Sequence, residues 1–275
     1  MPDAFQQSVA TAFAVTIFAV AVSVETRLVR RVTREGGQVR TADWQMPDAL
    51  VALVLASFFA VLGVVPIFLH PQKSSVITID KVVVGSAFPV VLLIGVAGFL
   101  TFRGAKVSAL LGLKRLGMLR AFAWALGLVL AAFPLAGAAN LLTAALLHGR
   151  VEPQELVQLF HTVAERGDLG AMLKIFLAGA VLAPVCEEFL FRGFFYAVGK
   201  RYLGPLASGL LTALLFAAIH QSLTAFAGLF VLAVCFTLAY ERTGSLLVPI
   251  GMHALYNFTS LFFIWLQARG ALPTS

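Results

Sequence analysis

The chain has 275 residues, of which 60% are hydrophobic and only 12% charged. A soluble domain is about 45–50% apolar, and a chain of this length has too little interior to hide such an excess, so a water-soluble fold is excluded. The net charge of +7 would point to nucleic acid in a soluble protein. Here no basic patch carries base-stacking aromatics, and Lys and Arg gather in the cytoplasmic loops of membrane proteins; the lipid bilayer is the partner these numbers imply, and nucleic acid is not.

A helix of about 20 apolar residues crosses the hydrocarbon core. Ser8–Val24 is the first such segment; no basic residue precedes its apolar run, so it reads as a span rather than a signal peptide. Ala49–Leu69 and Val82–Phe102 run 21 residues each without a charge, and Ala121–Leu147 runs 27. In Val151–Gly167, the residues Leu156, Val157, Phe160, Val163 and Ala164 recur at helical spacing among Glu, Gln and Arg, with Pro153 suited to a first turn. That pattern predicts a short amphipathic helix, lying at the membrane interface or simply connecting its neighbours. Leu169–Val198, Leu206–His220, Leu223–Tyr240 and Leu246–Gln267 complete about eight spans.

The expected architecture is an all-α polytopic bundle forming one membrane domain. Its first part, residues 1–148, holds four charge-free spans with no evident chemistry. Its second part, residues 169–267, holds four spans that carry all the ionisable groups expected to be buried. Cys186 and Cys235 both fall inside apolar stretches, so no disulfide is expected.

Orientation follows from the basic residues. With the N-terminus outside, thirteen of the 20 Lys and Arg fall on inner segments, around Arg27–Arg40, Arg103–Arg120, Lys200–Arg201 and Arg242. Five fall outside, and Lys174 and Arg192 lie within the fifth span. The bias predicts both termini outside. We expect an integral protein of a prokaryotic cytoplasmic membrane.

Ionisable groups within a span are costly and mark function by default. Three clusters stand out: Glu187-Glu188-Phe189-Leu190-Phe191-Arg192, Phe216-Ala217-Ala218-Ile219-His220, and His253-Ala254-Leu255-Tyr256-Asn257. Glu188 and Arg192 are spaced i,i+4 and share a face, as do Phe216 with His220 and His253 with Asn257. Glu187 sits roughly 100° round from Glu188, so the two carboxylates need not share a task. Glu187 lies roughly 20 Å from the Lys200 end of its helix, and His220 about as far from the same loop, so a hairpin brings them to one level. His253 comes only a few residues into the last span and reads as shallower, with Asn257 deeper. A Glu–Arg pair alone could be a structural staple, and a lone His or Asn could be interhelical glue. Two carboxylates, two histidines and an asparagine in neighbouring spans are a poor source of stability and point to chemistry.

In order and spacing, Glu-Glu-x-x-x-Arg, Phe-x-x-x-His and His-x-x-x-Asn resemble the CAAX protease and bacteriocin-processing (CPBP, or Abi) family of intramembrane endopeptidases, including the type II CAAX prenyl endopeptidases. The Tyr240–Leu246 turn resembles that family too, and the likeness covers about Leu182–Phe258. It implies Glu187 as general base on a water held by His220, Glu188 and Arg192 orienting the site, and His253 with Asn257 stabilising the oxyanion. It further implies a membrane-associated protein or peptide substrate: a prenylated CAAX protein, a bacteriocin leader or a membrane-anchored regulator.

Other chemistries fit the residues less well. Every Asp lies in a loop or at a helix end, His-Glu-x-x-His is absent, and Ser208 does not match the level of His220. No cofactor is expected, although Glu187, His220 and His253 could form a two-His, one-carboxylate zinc site. A proton-coupled transporter would also bury Glu, His and Arg, but would show repeated halves with broken helices. A catalytically inactive scaffold or immunity protein would be free to lose the motifs.

Overall fold

The computed structural model describes residues 4–69, 77–148 and 155–272, and among these every regular element is helical. Helix α1 (Ala4–Glu35) runs well beyond the apolar segment that announced it. Arg27, Arg30, Arg31 and Arg34 are good helix formers, so the helix continues out of the apolar zone until Gly36 and Gly37, at φ +81° and +69°, end it. The first basic group is therefore on a helix rather than in a loop. Glu25 follows Val24 inside the same helix and is 8% exposed, with both carboxylate oxygens buried. The expectation that only the second half of the chain buries ionisable groups fails here. It fails again at fully buried Asp48, whose Oδ1 pairs with Arg103 Nε at 2.5 Å.

Helices α2 (Met46–Leu69), α3 (Ile79–Phe102) and α4 (Met118–Leu146) follow. Among the described residues, seven continuous helical stretches are long and apolar enough to cross a membrane. The longest, Leu169–Ile219, has 51 residues and breaks at Gly204, where φ 79° and ψ 169° precede Pro205. It therefore forms two helices, α6 (169–203) and the shorter α7 (205–219), and with α8 (Leu223–Thr243) and α9 (Leu247–Ala268) helices stand at the positions of all eight expected segments. Between α4 and α6 lies α5 (Glu155–Arg166). It buries Phe160, Val163 and Ala164 against Met172, Ile175 and Leu261, so its apolar face is spent on α6 and α9. Pro153 and the rest of 149–154 lie outside the described residues.

Two features of the fold position the later chemistry. First, α6 is not a regular α-helix: Leu177–Leu182 and Phe189–Tyr196 are π-helical, on either side of the α-helical Ala183–Glu188. Second, the turn from α8 to α9 is recessed. Thr243, Ser245 and Leu246 are buried, and Leu246 N donates to Leu111 O in the segment beneath. Gly112, at φ +64°, allows that approach, because a Cβ there would strike the Gly244 carbonyl. Helix α9 thus begins inside the packed bundle rather than at its edge.

The same end of the bundle gathers the basic segments. Gln38 N and Val39 N bond to Glu241 O and Oε2, Arg115 reaches Gln38, and Tyr196 Oη and Lys200 Nζ both reach Glu241 Oε1. Glu241 is buried, and this set of partners is what makes a buried carboxylate tolerable there.

Candidate active site

Helix α6 carries Glu187, Glu188 and Arg192; α7 ends at His220; α9 carries His253 and Asn257. Glu188 and Arg192 are sealed. Arg192 Nη1 lies 2.8 Å from Glu188 Oε1, and Nη2 donates to Ala233 O on α8 at 3.1 Å. The guanidinium sits over Phe216 at 4.5 Å and Phe236 at 5.2 Å, so aromatic faces replace the water it has lost. Glu188 Oε1 also takes His253 Nδ1 at 2.9 Å. The spacing of Glu188 and Arg192 was legible in the sequence, but the second partner of Glu188 was not.

Both histidines are aimed by their Nδ1 atoms. His220 Nδ1 lies 2.8 Å from the Phe216 carbonyl, which only accepts, so that nitrogen carries a proton. His253 is held by Glu188 and stacks on Phe236 at 5.3 Å. Each ring is thereby fixed with its Nε2 facing Glu187: 4.0 Å from Glu187 Oε2 for His220 and 3.9 Å for His253. Glu187 Oε2 is buried and has no hydrogen-bond partner among the described residues. The side chains of Glu187 and His220 are 20% and 23% exposed against 0% for Glu188, so this side of the cluster is the one that opens.

The spacing bears on what could sit between these atoms. Two groups hydrogen-bonded to one water, at ~2.8 Å each, stand roughly 4–4.6 Å apart. Two ligands of a tetrahedral zinc stand only about 3.3 Å apart. The donor set matches zinc in kind, since each histidine hands its other nitrogen to a carboxylate or carbonyl as metal-bound histidines do. The observed distances are those of groups that share one water, and a zinc bound by the same three atoms would draw them closer together.

Asn257 joins the cluster less directly. It lies one turn beyond His253 on α9, and its Nδ2 donates to Gly179 O at 2.8 Å, which leaves one amide N–H uncommitted. Ser208 is occupied elsewhere, with Oγ donating to Tyr196 O. The sequence reading missed Ala233, Phe236 and Gly179, because a backbone acceptor or a stacking ring on another helix leaves no motif. It also passed over Pro184, a proline inside an apolar span three residues before Glu187, which was a visible signal.

Residues 170–259 match a family described as type II CAAX prenyl endopeptidase Rce1-like. The match covers about a third of the chain. It includes all six residues singled out above and leaves out α1–α5. The chain is also 39% identical over 88 residues to an uncharacterized 24.3 kDa protein of Escherichia coli, a match covering 30% of this chain and 41% of that protein. The chain thus spans about two fifths of that relative's length. No solved structure matches. The Rce1-like segment is the part of the bundle built around π-helical α6 and the recessed start of α9.

Proposed function

We propose that this protein is an intramembrane endopeptidase that hydrolyses a peptide bond of a membrane-associated protein or peptide with water activated by Glu187 and His220. The observation that carries this reading is Glu187 Oε2, buried and unpartnered at about one water's width from two fixed imidazole nitrogens. His253 gives Nδ1–H to Glu188, and to serve as an oxyanion donor it presents Nε2–H to the reaction. Neutral His220, with its proton on Nδ1, presents an Nε2 lone pair.

Hydrolysis follows from these roles. The water oxygen attacks the scissile carbonyl carbon while Glu187 takes its proton, and His220 Nε2 accepts the second water hydrogen and orients it. The negative charge that develops on the carbonyl oxygen meets His253 Nε2–H and the free N–H of Asn257. The C–N bond breaks as Glu187 returns its proton to the leaving amine. No step requires a metal. The basic end, from Arg27 to Arg40 and at Arg103–Arg120, faces the cytoplasm in this reading, with both termini outside.

A prenylated C-terminal CAAX segment is the substrate class that the Rce1-like match favours. Quantitative membrane proteomics on cells carrying the wild type or Glu187→Gln tests the whole reading. New protein termini should be present with the wild type and absent with the variant; identical sets would overturn it.

A further inference from the structure

We propose that Pro184 is a positioning residue for Asn257, acting through a backbone carbonyl that it leaves without a helical donor. The proposal rests on the endopeptidase reading for its catalytic consequence, but its geometry stands apart from that reading. In an α-helix a carbonyl accepts from the N–H four residues on, and in a π-helix from the N–H five residues on. Ala183 N–H bonds to Ala178 O, the five-residue register. The next carbonyl, Gly179 O, would by that register take the N–H of residue 184, and proline has none. Ala183 is already committed, so the α-helical donor is gone as well. A bare carbonyl within a span is expensive, and Asn257 Nδ2 fills the vacancy at 2.8 Å.

The consequence concerns direction. A carbonyl only accepts, so Gly179 O decides which end of the Asn257 amide faces α6, and it anchors one of the two N–H groups. The second is then held in one orientation on the face of α9 that also carries His253, four residues earlier. An oxyanion donor works because it is already aimed when charge appears. Pro184 and the π-helical turn before it supply that aim, at the cost of a regular helix.

Replacing Pro184 with Ala gives residue 184 an N–H, draws Gly179 O into the helix and releases Asn257.

The experiment uses the full chain in lipid nanodiscs and an internally quenched, prenylated peptide ending in a Cys-aliphatic-aliphatic-X box. Pro184→Ala should lower kcat at unchanged KM, by less than the roughly 10²–10³-fold expected for Asn257→Ala. It should leave the melting midpoint unchanged or raised, because a helix interior disfavours proline. Pro184→Ala/Asn257→Ala should match Asn257→Ala alone. The chain has only two asparagines, Asn140 and Asn257, so selective 15N-asparagine labelling reads the contact directly and without turnover. The Asn257 side-chain proton pair should be widely split in the wild type and should collapse toward free-amide shifts in Pro184→Ala. An unchanged Asn257 signal, a wild-type kcat, losses that multiply in the double variant, or a loss accompanied by a lower melting midpoint would each overturn the proposal. A wild type that leaves the peptide uncut sinks the endopeptidase reading, and an active Glu187→Gln ends the general-base assignment; either leaves the amide signal to judge the contact. An inactive Glu187→Gln beside a fully active Pro184→Ala sinks this inference alone.

Discussion

Glu188 Oε1 lies 2.9 Å from His253 Nδ1, across 65 residues of chain, while it also holds Arg192 at 2.8 Å. One carboxylate oxygen thereby ties α6 to α9 and fixes the imidazole that faces Glu187. Glu188 is closed to solvent and Arg192 is 1% exposed, so neither charge has water to fall back on.

Glu188→Gln should therefore cost stability as well as activity. Breaking a buried ion pair from one side leaves a buried charge uncompensated, typically at about 3–5 kcal/mol. Unfolding by denaturant in mild detergent should show a loss of that order, and Arg192→Lys should not restore function, because a lysine lacks the planar fork that spans Glu188 and Ala233 O. Wild-type stability in Glu188→Gln would show that the pair is not what holds α6 to α9.

Glu187→Gln and His220→Ala should behave oppositely, abolishing turnover in a protein that still folds in membranes. Glu187 Oε2 makes no hydrogen bond among the described residues, so no contact of that oxygen is lost. Loss of a positioned general base costs roughly 10²–10⁴-fold. Turnover of the prenylated peptide together with membrane-extracted yield separates chemistry from folding, and a fully active Glu187→Gln ends the general-base assignment.

Activity should survive strong chelation, because the two imidazole nitrogens stand about 4 Å from Glu187 Oε2, at water spacing rather than tetrahedral zinc spacing. In the same assay Asn257→Ala should lower kcat by roughly 10²–10³ with little change in KM. Purified protein that dies in chelator and recovers with stoichiometric zinc would make Glu187, His220 and His253 metal ligands.

A cysteine placed at Gln38 should resist an impermeant thiol reagent added to intact cells and react once the membrane is opened. Cys186 and Cys235 are buried, so the background is low. The four basic segments meet at the Gln38 end of the bundle, the end that the charge bias predicts to be cytoplasmic. Rapid labelling from outside would invert the topology and the side from which substrate approaches.

Much of the fold was readable along the chain because lipid imposes a length and a polarity on each span. The apolar runs located eight helices to within a few residues, except α1, where the arginines that ended the apolar run did not end the helix. The site residues were readable too, since a carboxylate or an imidazole in an apolar run is conspicuous. Spacing paired Glu188 with Arg192 and Phe216 with His220, because partners three or four residues apart are a local property.

Where α9 begins was not a local property. Counting residues along the chain did not show that it starts inside the packed bundle, since nothing near it in sequence shows that Leu111 and Gly112 lie beneath the α8–α9 turn. Nor does a motif show that Phe236 stacks on His253 or that Ala233 O receives Arg192, because those partners are a ring and a backbone atom on another helix. The sequence determined which groups must be buried in lipid and therefore need partners. Only the packing of α6, α7, α8 and α9 decided which partners they found, because a hydrogen bond depends on the last ångström of approach between helices and a hydropathy pattern carries no information at that scale.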